Sequence, residues 1–401
     1  MVMNPWLRVF APFAVGYFLS YLLRNVNAVI APELTRELTL TATDLGLLTS
    51  AYLAAFGAFQ LPLGVLLDRY GPRRVESTLL IIAALGCALF AWSEGLANLA
   101  AGRALIGLGV SACLMGSFKA FSLWFPPERQ ASLNAAVMAA GGLGALTATT
   151  PIGWALPVLG WRGIFAVMAG LAVVVAGLIF ASPEKAHEGH RETLREQFVA
   201  LGGIFRSRVF WRFAPQTTAV VGGFMALQGL WAVPWLMHVD AMTRESAAFH
   251  LLLSSSAMLI GFLSIATFVV RLKHLGIETE TILKAGMGFG ILVMLLIVLG
   301  TGPTHLLWFA LGLVFSVGNL AYALLCSHFP RELSGRVNTA LNVGAFAGAF
   351  GIQWGIGALV DALASTGIAT ADAYRWSFAA LLMLQASAYG WFVLSGRRVR
   401  A

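Results

Sequence analysis

The chain has 401 residues, of which 59% are hydrophobic and only 11% charged, and its formal net charge is +8. A soluble domain carries about a quarter charged residues, so this composition excludes a soluble globular protein and favours one that lies in lipid. The positive charge does not indicate nucleic-acid binding, because the arginines and lysines sit mainly in short connections between apolar segments, as the positive-inside rule describes.

Twelve apolar stretches follow one another along the chain, and each is long enough to cross a bilayer of about 30 Å as a helix. They lie near residues 10–33, 44–66, 76–93, 98–122, 133–156, 163–181, 211–237, 247–270, 281–300, 306–328, 337–360 and 376–395. The first stretch is too long for the core of a cleavable signal peptide, so we expect it to remain as the first helix. The predicted fold class is an all-α membrane protein.

The first span carries a charge near its middle, in Tyr21-Leu-Leu-Arg24-Asn25-Val-Asn27. A charge in hydrocarbon is unfavourable unless it meets water, a partner or a substrate. We expect acidic residues only in loops and at helix ends, so no carboxylate is predicted to neutralise Arg24. A guanidinium in a polar cavity suits a carboxylate or phosphate, which it can hold through two parallel hydrogen bonds. The alternative is that Arg24 binds backbone carbonyls or helix dipoles.

The connection between the second and third spans is Gly64-Val-Leu-Leu-Asp68-Arg69-Tyr70-Gly71-Pro72-Arg73-Arg74. Glycine permits a tight turn, and an aspartate can cap the next helix or pair with an arginine. This pattern resembles the loop signature of the major facilitator superfamily of secondary transporters. The resemblance implies that the cluster acts in gating on the cytoplasmic side, and a solvated turn whose charges only orient the chain is the alternative. The predicted gating residues are Gly64, Asp68, Arg69, Gly71, Arg73, Arg74 and Arg103.

The first span also resembles the first helix of the organic-anion branches of that superfamily, the phosphate-ester exchangers and anion symporters. In those branches Tyr-x-x-Arg occurs and the arginine contacts the anion. They usually place an asparagine two residues after the arginine, whereas Asn25 and Asn27 stand one and three residues after Arg24. The phosphate exchangers have a second basic residue in the seventh helix, where this chain has Gln228. The differences favour a carboxylate over a phosphate ester.

The fourth span contains two further basic residues, Arg103 and Lys119. Arg103 begins Arg103-Ala-Leu-Ile-Gly107-Leu-Gly109, which also resembles the superfamily, and both helix packing and coupling are open for it. Lys119 is the second candidate cation for an anionic substrate. A lysine whose ammonium reaches the head groups while its stem lies in lipid is the alternative.

Several amides inside the spans are candidates to line a cavity: Gln60, Asn134, Gln228, Asn319, Asn338, Asn342 and Gln353. Any of them can instead join helices by hydrogen bonding, and Trp231 and Trp235 fit either a pocket or an interfacial aromatic belt. The predicted substrate-binding residues are Tyr21, Arg24, Asn25, Asn27, Gln60, Lys119, Gln228, Asn319, Asn338 and Asn342. No catalytic or metal-binding residue is predicted.

The longest polar stretch separates six spans from six. The segment 125–135 recurs in altered form at 329–339, which supports two related halves. We therefore predict two pseudo-symmetric six-helix bundles, 1–181 and 210–401, joined by a cytoplasmic linker, 182–209. Two such halves are expected of a carrier that alternates access to a central site.

Glycine-rich runs lie inside apolar spans rather than between a strand and a helix, so no nucleotide-binding loop is expected. We predict a secondary active transporter of a small organic anion, without enzymatic activity or cofactor. It is expected to be a monomer in the cytoplasmic (inner) membrane, with both termini cytoplasmic, and to contact lipid and its small-molecule substrate but no nucleic acid. The coupling ion and the direction of transport stay open.

Two other functions are alternatives. An exporter of amphipathic or drug-like compounds should have an acidic residue in its cavity helices. A non-transporting sensor on the same fold would normally add a soluble domain.

Overall fold

The computed structural model describes residues 5–183, 185, 194–330 and 333–399, and the regular elements in these ranges are all helical. Helices suit lipid because they satisfy their own backbone N–H and C=O groups, for which hydrocarbon offers no partner. Residues 184 and 186–193 of the predicted linker lie outside the described residues, as do Arg331 and Glu332 of the second repeat copy.

The first half of the described chain begins with a π-helical turn, Trp6–Phe10. Its α-helices are α1 (Ala11–Leu38), α2 (Ala42–Ala91), α3 (Leu96–Gly109), α4 (Cys113–Trp124), α5 (Pro127–Thr147) and α6 (Thr150–Phe180). The second half contains α7 (Leu194–Arg206), α8 (Arg208–Ala226), a π-helical turn (Leu227–Trp231), α9 (Ala232–His238), α10 (Arg244–His274), α11 (Thr279–Leu299), α12 (Thr304–Gly318), α13 (Leu320–Cys326), α14 (Ser334–Ser365) and α15 (Thr370–Val399).

Within the described ranges, ten helical segments, some made of two or three consecutive helices, are long and apolar enough to cross a membrane. One of them, α2, is two spans joined at Gly71, where φ is 79° and ψ is 157°. Gly160, with φ of 64°, breaks α6 in the same way into two parts, and α5 lies just before the first of them. Adding one segment at each break to the ten gives twelve. The order of helices agrees with the predicted all-α membrane fold.

The chain divides into two compact units. The first unit comprises Met1–Leu40 and Ala51–Gln197, and the second comprises Thr41–Ser50 and Phe198–Ala401. The beginning of α2 belongs to the second unit, where the Asp361 carboxylate of α14 accepts hydrogen bonds from the backbone N–H groups of Ala42 and Thr43 at 3.2 and 2.7 Å. The predicted limits 1–181, 182–209 and 210–401 stay predictions.

Glycines allow the helices of the first unit to approach backbone to backbone. A methyl group on Gly144 of α5 would collide with the Phe18 carbonyl of α1, and one on Gly107 of α3 would collide with the Tyr52 carbonyl of α2. The outer surface of the same unit carries large apolar side chains, such as Val158, which is 83% exposed. This surface fits contact with lipid, as a multi-pass membrane protein requires.

Candidate substrate-binding site

Arg24 lies near the middle of α1, and its side chain is half-buried. Its guanidinium carbon lies 4.7 Å from the centroid of the Tyr21 ring and 4.9 Å from that of the Phe56 ring. Tyr17 and Tyr52 are further electrostatic neighbours of the guanidinium. Aromatic faces attract a cation through their quadrupole, so these rings stabilise the positive charge without cancelling it.

The rings beside Arg24 are held in place by their surroundings in α1 and α5. Tyr17 and Tyr21 meet edge to face, with centroids 5.1 Å apart. A methyl group on Gly141 of α5 would lie 2.5 Å from Cε1 of Tyr17 and 3.1 Å from Cδ2 of Tyr21. The absent side chain at Gly141 therefore provides the space that both rings occupy. Asn25 donates from Nδ2 to the Tyr21 carbonyl at 2.9 Å, one turn earlier in the same helix.

Arg103 of α3 is fully buried next to this cluster. Its Nη1 donates to the Leu23 carbonyl at 2.8 Å, and its guanidinium carbon lies 4.9 Å from the Tyr52 ring centroid. Arg103 thus contacts the residue that precedes Arg24 and one of the rings beside it. These contacts favour a role in positioning α1, and the predicted gating role stays a prediction.

Lys119 of α4 forms an ion pair with Asp68 of α2, at 2.8 Å between Nζ and Oδ1. The side chains are 20% and 27% exposed, respectively. Asp68 thus pairs with a lysine, whereas the sequence suggested an arginine. The contact between Lys119 and Asp68 favours a part for Lys119 in the turn between the second and third spans over one in anion binding.

The rest of that turn is ordered by Gly71 and the arginines that follow it. The positive φ of Gly71 makes the predicted tight turn. Arg73 donates from Nη1 to the Ser182 carbonyl at 3.2 Å and stacks on Phe180, with 5.0 Å between the guanidinium carbon and the ring centroid. Arg69 lies over the ring of Tyr70. The segment therefore holds the end of α6 against α2.

Most of the predicted amides hydrogen-bond within their own units, whereas the Asn134 side-chain oxygen and both polar side-chain atoms of Gln353 are buried without a hydrogen-bond partner in the described chain. In the first unit, Gln60 donates to the Ser111 carbonyl at 3.2 Å, and Asn27 is buried in α1. In the second unit, Gln228 lies in the π-helical turn and donates to Ser255 Oγ at 3.0 Å. The remaining three are Asn319, which donates to the Phe315 carbonyl, Asn338, which accepts from the Cys326 thiol, and Asn342, which accepts from the Tyr322 hydroxyl.

Trp231 and Trp235 are 0% and 1% exposed inside the second unit. This burial favours packing inside the unit over an interfacial belt, whose aromatic rings face the lipid head groups. The indole nitrogen of Trp231 donates to the Gln353 carbonyl at 2.9 Å, which ties α14 to the π-helical turn.

The comparison with protein families decides the class. The model of the Major Facilitator Superfamily matches residues 13–352. The chain belongs to the Major Facilitator Superfamily. This confirms the resemblance inferred from the loop signature, and members of this family are transporters rather than enzymes.

Relatives of this superfamily member include transporters of sugar acids. A hexuronate transporter of Escherichia coli (strain K12) is 25% identical over 217 residues, 50% of each chain. A galacturonate transporter of Dickeya chrysanthemi is 28% identical over 162 residues, 40% of this chain and 47% of the relative. A probable L-galactonate transporter of Escherichia coli (strain K12) is 25% identical over 283 residues, 67% of this chain and 60% of the relative. The chain thus spans about half the length of the first two relatives.

Solved structures share the fold. A bacterial homologue of the human lysosomal transporter Spinster, in an inward-facing and unoccupied conformation, has a TM-score of 0.76 with 17% identity, over 99% of this chain and 98% of that one. A D-xylose-proton symporter has a TM-score of 0.73 with 14% identity, over 97% of both chains. These similarities confirm the predicted fold class.

Sequence reasoning missed three features of the site in this superfamily member. Tyr52 and Phe56 were not singled out, although their spacing of four residues places both on one helix face. Glu76 is fully buried in α2. The expectation that acidic residues occupy only loops and helix ends is wrong for Glu76, because Gly71 starts the third span early enough to place Glu76 more than one turn inside it.

Proposed function

We propose that this superfamily member is a secondary active transporter of a small organic anion, and that its substrate is a sugar acid with one carboxylate. The observation that carries the proposal is the half-buried guanidinium of Arg24 between the Tyr21 and Phe56 rings. The names of the relatives support it, since hexuronate, galacturonate and galactonate are all carboxylates of sugars.

The chemistry of the cluster fits such a substrate. A guanidinium can bind a carboxylate through two parallel hydrogen bonds. Aromatic rings with a polar edge, as in Tyr21 and Tyr52, can contact the C–H face of a sugar and also hydrogen-bond its hydroxyl groups. The ammonium of Lys119 lies against Asp68, and this favours a monoanion over a phosphate ester that carries two negative charges.

The mode of transport follows from the family architecture. Alternating access between a first bundle, 1–181, and a second bundle, 210–401, is supported by the fold that the chain shares with other transporters. The excess of arginine and lysine in alternate connections supports a cytoplasmic position for both termini in the inner membrane.

Glu76 bears on the alternative that the protein exports cationic or drug-like compounds. Such an exporter should expose an acidic side chain to its cavity, and Glu76 is the acidic residue inside the first unit that bears on this alternative. Its side chain is 0% exposed, whereas Arg24 is partly exposed. A ligand in the first unit therefore meets the guanidinium first, and the anion hypothesis is favoured.

Uptake into proteoliposomes tests the proposal. Wild-type protein is expected to take up labelled galacturonate, glucuronate or galactonate but not galactose, which lacks the carboxylate. Arg24→Gln should abolish this uptake, and Arg24→Lys should restore little of it, because an ammonium lacks the planar fork of the guanidinium. Arg36→Gln is the matched control, because Arg36 lies on the same helix with its side chain 79% exposed.

Normal uptake of these anions by folded Arg24→Gln protein would contradict the anion site. Uptake of a lipophilic cation by the wild type, with none of any sugar acid, would support the exporter instead.

A further inference from the structure

Glu76 is the one acidic residue among the fully buried side chains of the described chain. It lies in α2, five residues after the break at Gly71. Within the described residues, neither oxygen of its carboxyl group has a hydrogen-bond partner of acceptable geometry. A buried carboxyl group in this state calls for an explanation, because natural proteins rarely leave buried polar atoms unsatisfied.

Two glycines on two other helices leave the space that this carboxyl group occupies. A methyl group on Gly16 of α1 would lie 2.7 Å from Oε1 of Glu76, and one on Gly116 of α4 would collide with Oε2. The pocket thus has walls from α1, α2 and α4, and each oxygen lies against a position without a side chain.

Among the described residues, no lysine or arginine acts on this carboxyl group to stabilise an ionised carboxylate. From α4, the Cys113 thiol lies against the carboxyl group, and it is the titratable group that faces Glu76 in the described chain. From α1, the facing residue is Gly16. The lysine of α4, Lys119, is bound to Asp68. An unpaired carboxylate is very unfavourable in such a place, and a neutral carboxylic acid much less so, so the geometry points to a protonated Glu76.

The pocket adjoins the proposed anion site. The Cys113 thiol lies within electrostatic range of both Glu76 and Arg24. Tyr17, next to Gly16 in α1, is a neighbour of Arg24 and of Cys113. A shift of α1 or α4 that admits an anion to Arg24 would therefore also change the space around Glu76.

We propose that Glu76 is a proton-binding site coupled to the anion site, an inference that rests on the proposed function. In the packed arrangement Glu76 holds a proton. When α1 or α4 moves and water enters from the side of release, the carboxylic acid gives its proton to water and becomes a carboxylate. The carboxylate takes a proton from water on the side of uptake before the site closes again. Each cycle then carries one proton with one monoanion in the same direction, and no net charge crosses the membrane.

The test compares Glu76→Gln with wild type in proteoliposomes, using galacturonate as the probe. With one proton per monoanion, a gradient of one pH unit should support about tenfold accumulation by the wild type. The ratio of uptake with the gradient to uptake without it should fall to about one in Glu76→Gln, whatever its absolute rate. Glu94→Gln, the same change at an exposed position of the first unit, should keep the wild-type ratio. A wild-type ratio in Glu76→Gln would overturn the proposal.

Infrared spectroscopy of the protein without substrate gives a second readout. At neutral pH, the difference spectrum of wild type minus Glu76→Gln should show the carbonyl band of a protonated carboxylic acid. The same band should be absent from wild type minus Glu94→Gln. If Glu76→Gln does not fold, Gly116→Ala, which fills the space beside Oε2, should shift or remove the band.

If the band is absent from wild type minus Glu76→Gln, or from wild type minus Gly116→Ala where that variant replaces it, the proposal is overturned. This holds even if anion transport is confirmed. Conversely, a wild type that shows the band but transports none of the sugar acids would leave Glu76 as a protonated site and refute the proposed function instead.

Discussion

The ion pair between Asp68 and Lys119 predicts a specific pattern of stability. Its atoms are 2.8 Å apart, and both side chains are less than a third exposed. Exposed ion pairs contribute at most about 1 kcal/mol, whereas removal of one partner from a fully buried pair costs about 3–5 kcal/mol. At this intermediate burial we expect Asp68→Asn and Lys119→Met each to lower the free energy of unfolding by about 1–3 kcal/mol, the range of a charge-assisted hydrogen bond.

A double-mutant cycle measures the pair directly, by unfolding in a denaturing detergent. The double variant should be little less stable than either single variant, because both changes remove the same interaction. Exchange of the two charges, Asp68→Lys with Lys119→Asp, should recover part of the loss. The exposed pair Arg375–Asp372, with side chains 46% and 52% exposed, serves as control, and Asp372→Asn should change stability by less than about 1 kcal/mol.

The same variants separate the two roles considered for Lys119. If its ammonium serves the turn and does not touch the substrate, Lys119→Met should leave the affinity for galacturonate within about twofold of wild type, a difference of about 0.4 kcal/mol. Additive losses of stability in the cycle, together with a selective loss of affinity for dianions, would refute this reasoning and make Lys119 a substrate ligand.

Three further predictions concern stability. Glu280→Gln should lower the free energy of unfolding by about 3 kcal/mol, because Glu280 binds the nearly buried Arg212 at 2.6 Å as well as Lys284 at 2.8 Å; a loss no larger than that of Asp372→Asn would contradict it. Gly71→Ala should lower the free energy of unfolding by about 1–3 kcal/mol, because alanine is strained at the positive φ of this position. Gly170→Ala, at a helical position with open space around it, should leave the free energy of unfolding unchanged or raise it in the same assay. Asp361→Ala should lower the thermal midpoint, with a loss of about 1–2 kcal/mol, since it removes the cap of α2 at Ala42 and Thr43; an unchanged midpoint would show that water replaces the cap.

The helices were predictable because lipid imposes one rule along the whole chain. Any segment that crosses hydrocarbon must be apolar and must satisfy its backbone internally, so composition alone indicates the spans. The break at Gly71 was also predictable, since a glycine among polar residues between two apolar stretches indicates a turn.

Contacts between distant parts of the chain were not predictable in this way. Asp68 and Lys119 are 51 residues apart, and nothing local in either span indicates that they meet. The burial of Glu76 depends on Gly16 and Gly116, which lie in two other helices. Arg24 was recognisable because its charge stands alone in an apolar span. The rings of Tyr52 and Phe56 face Arg24 because of how α2 is rotated about its axis, and a sequence that is apolar on all sides does not specify that rotation.

Binding of galacturonate to detergent-solubilised protein, followed by thermal unfolding, tests the anion site most directly. A ligand at one hundred times its dissociation constant stabilises the folded state by about 2.7 kcal/mol. Galacturonate should raise the unfolding temperature of wild type and of Arg36→Gln, galactose should raise neither, and Arg24→Gln should show no response to either sugar. A galacturonate response in Arg24→Gln equal to that of wild type would contradict the assignment of Arg24 as the residue that binds the carboxylate.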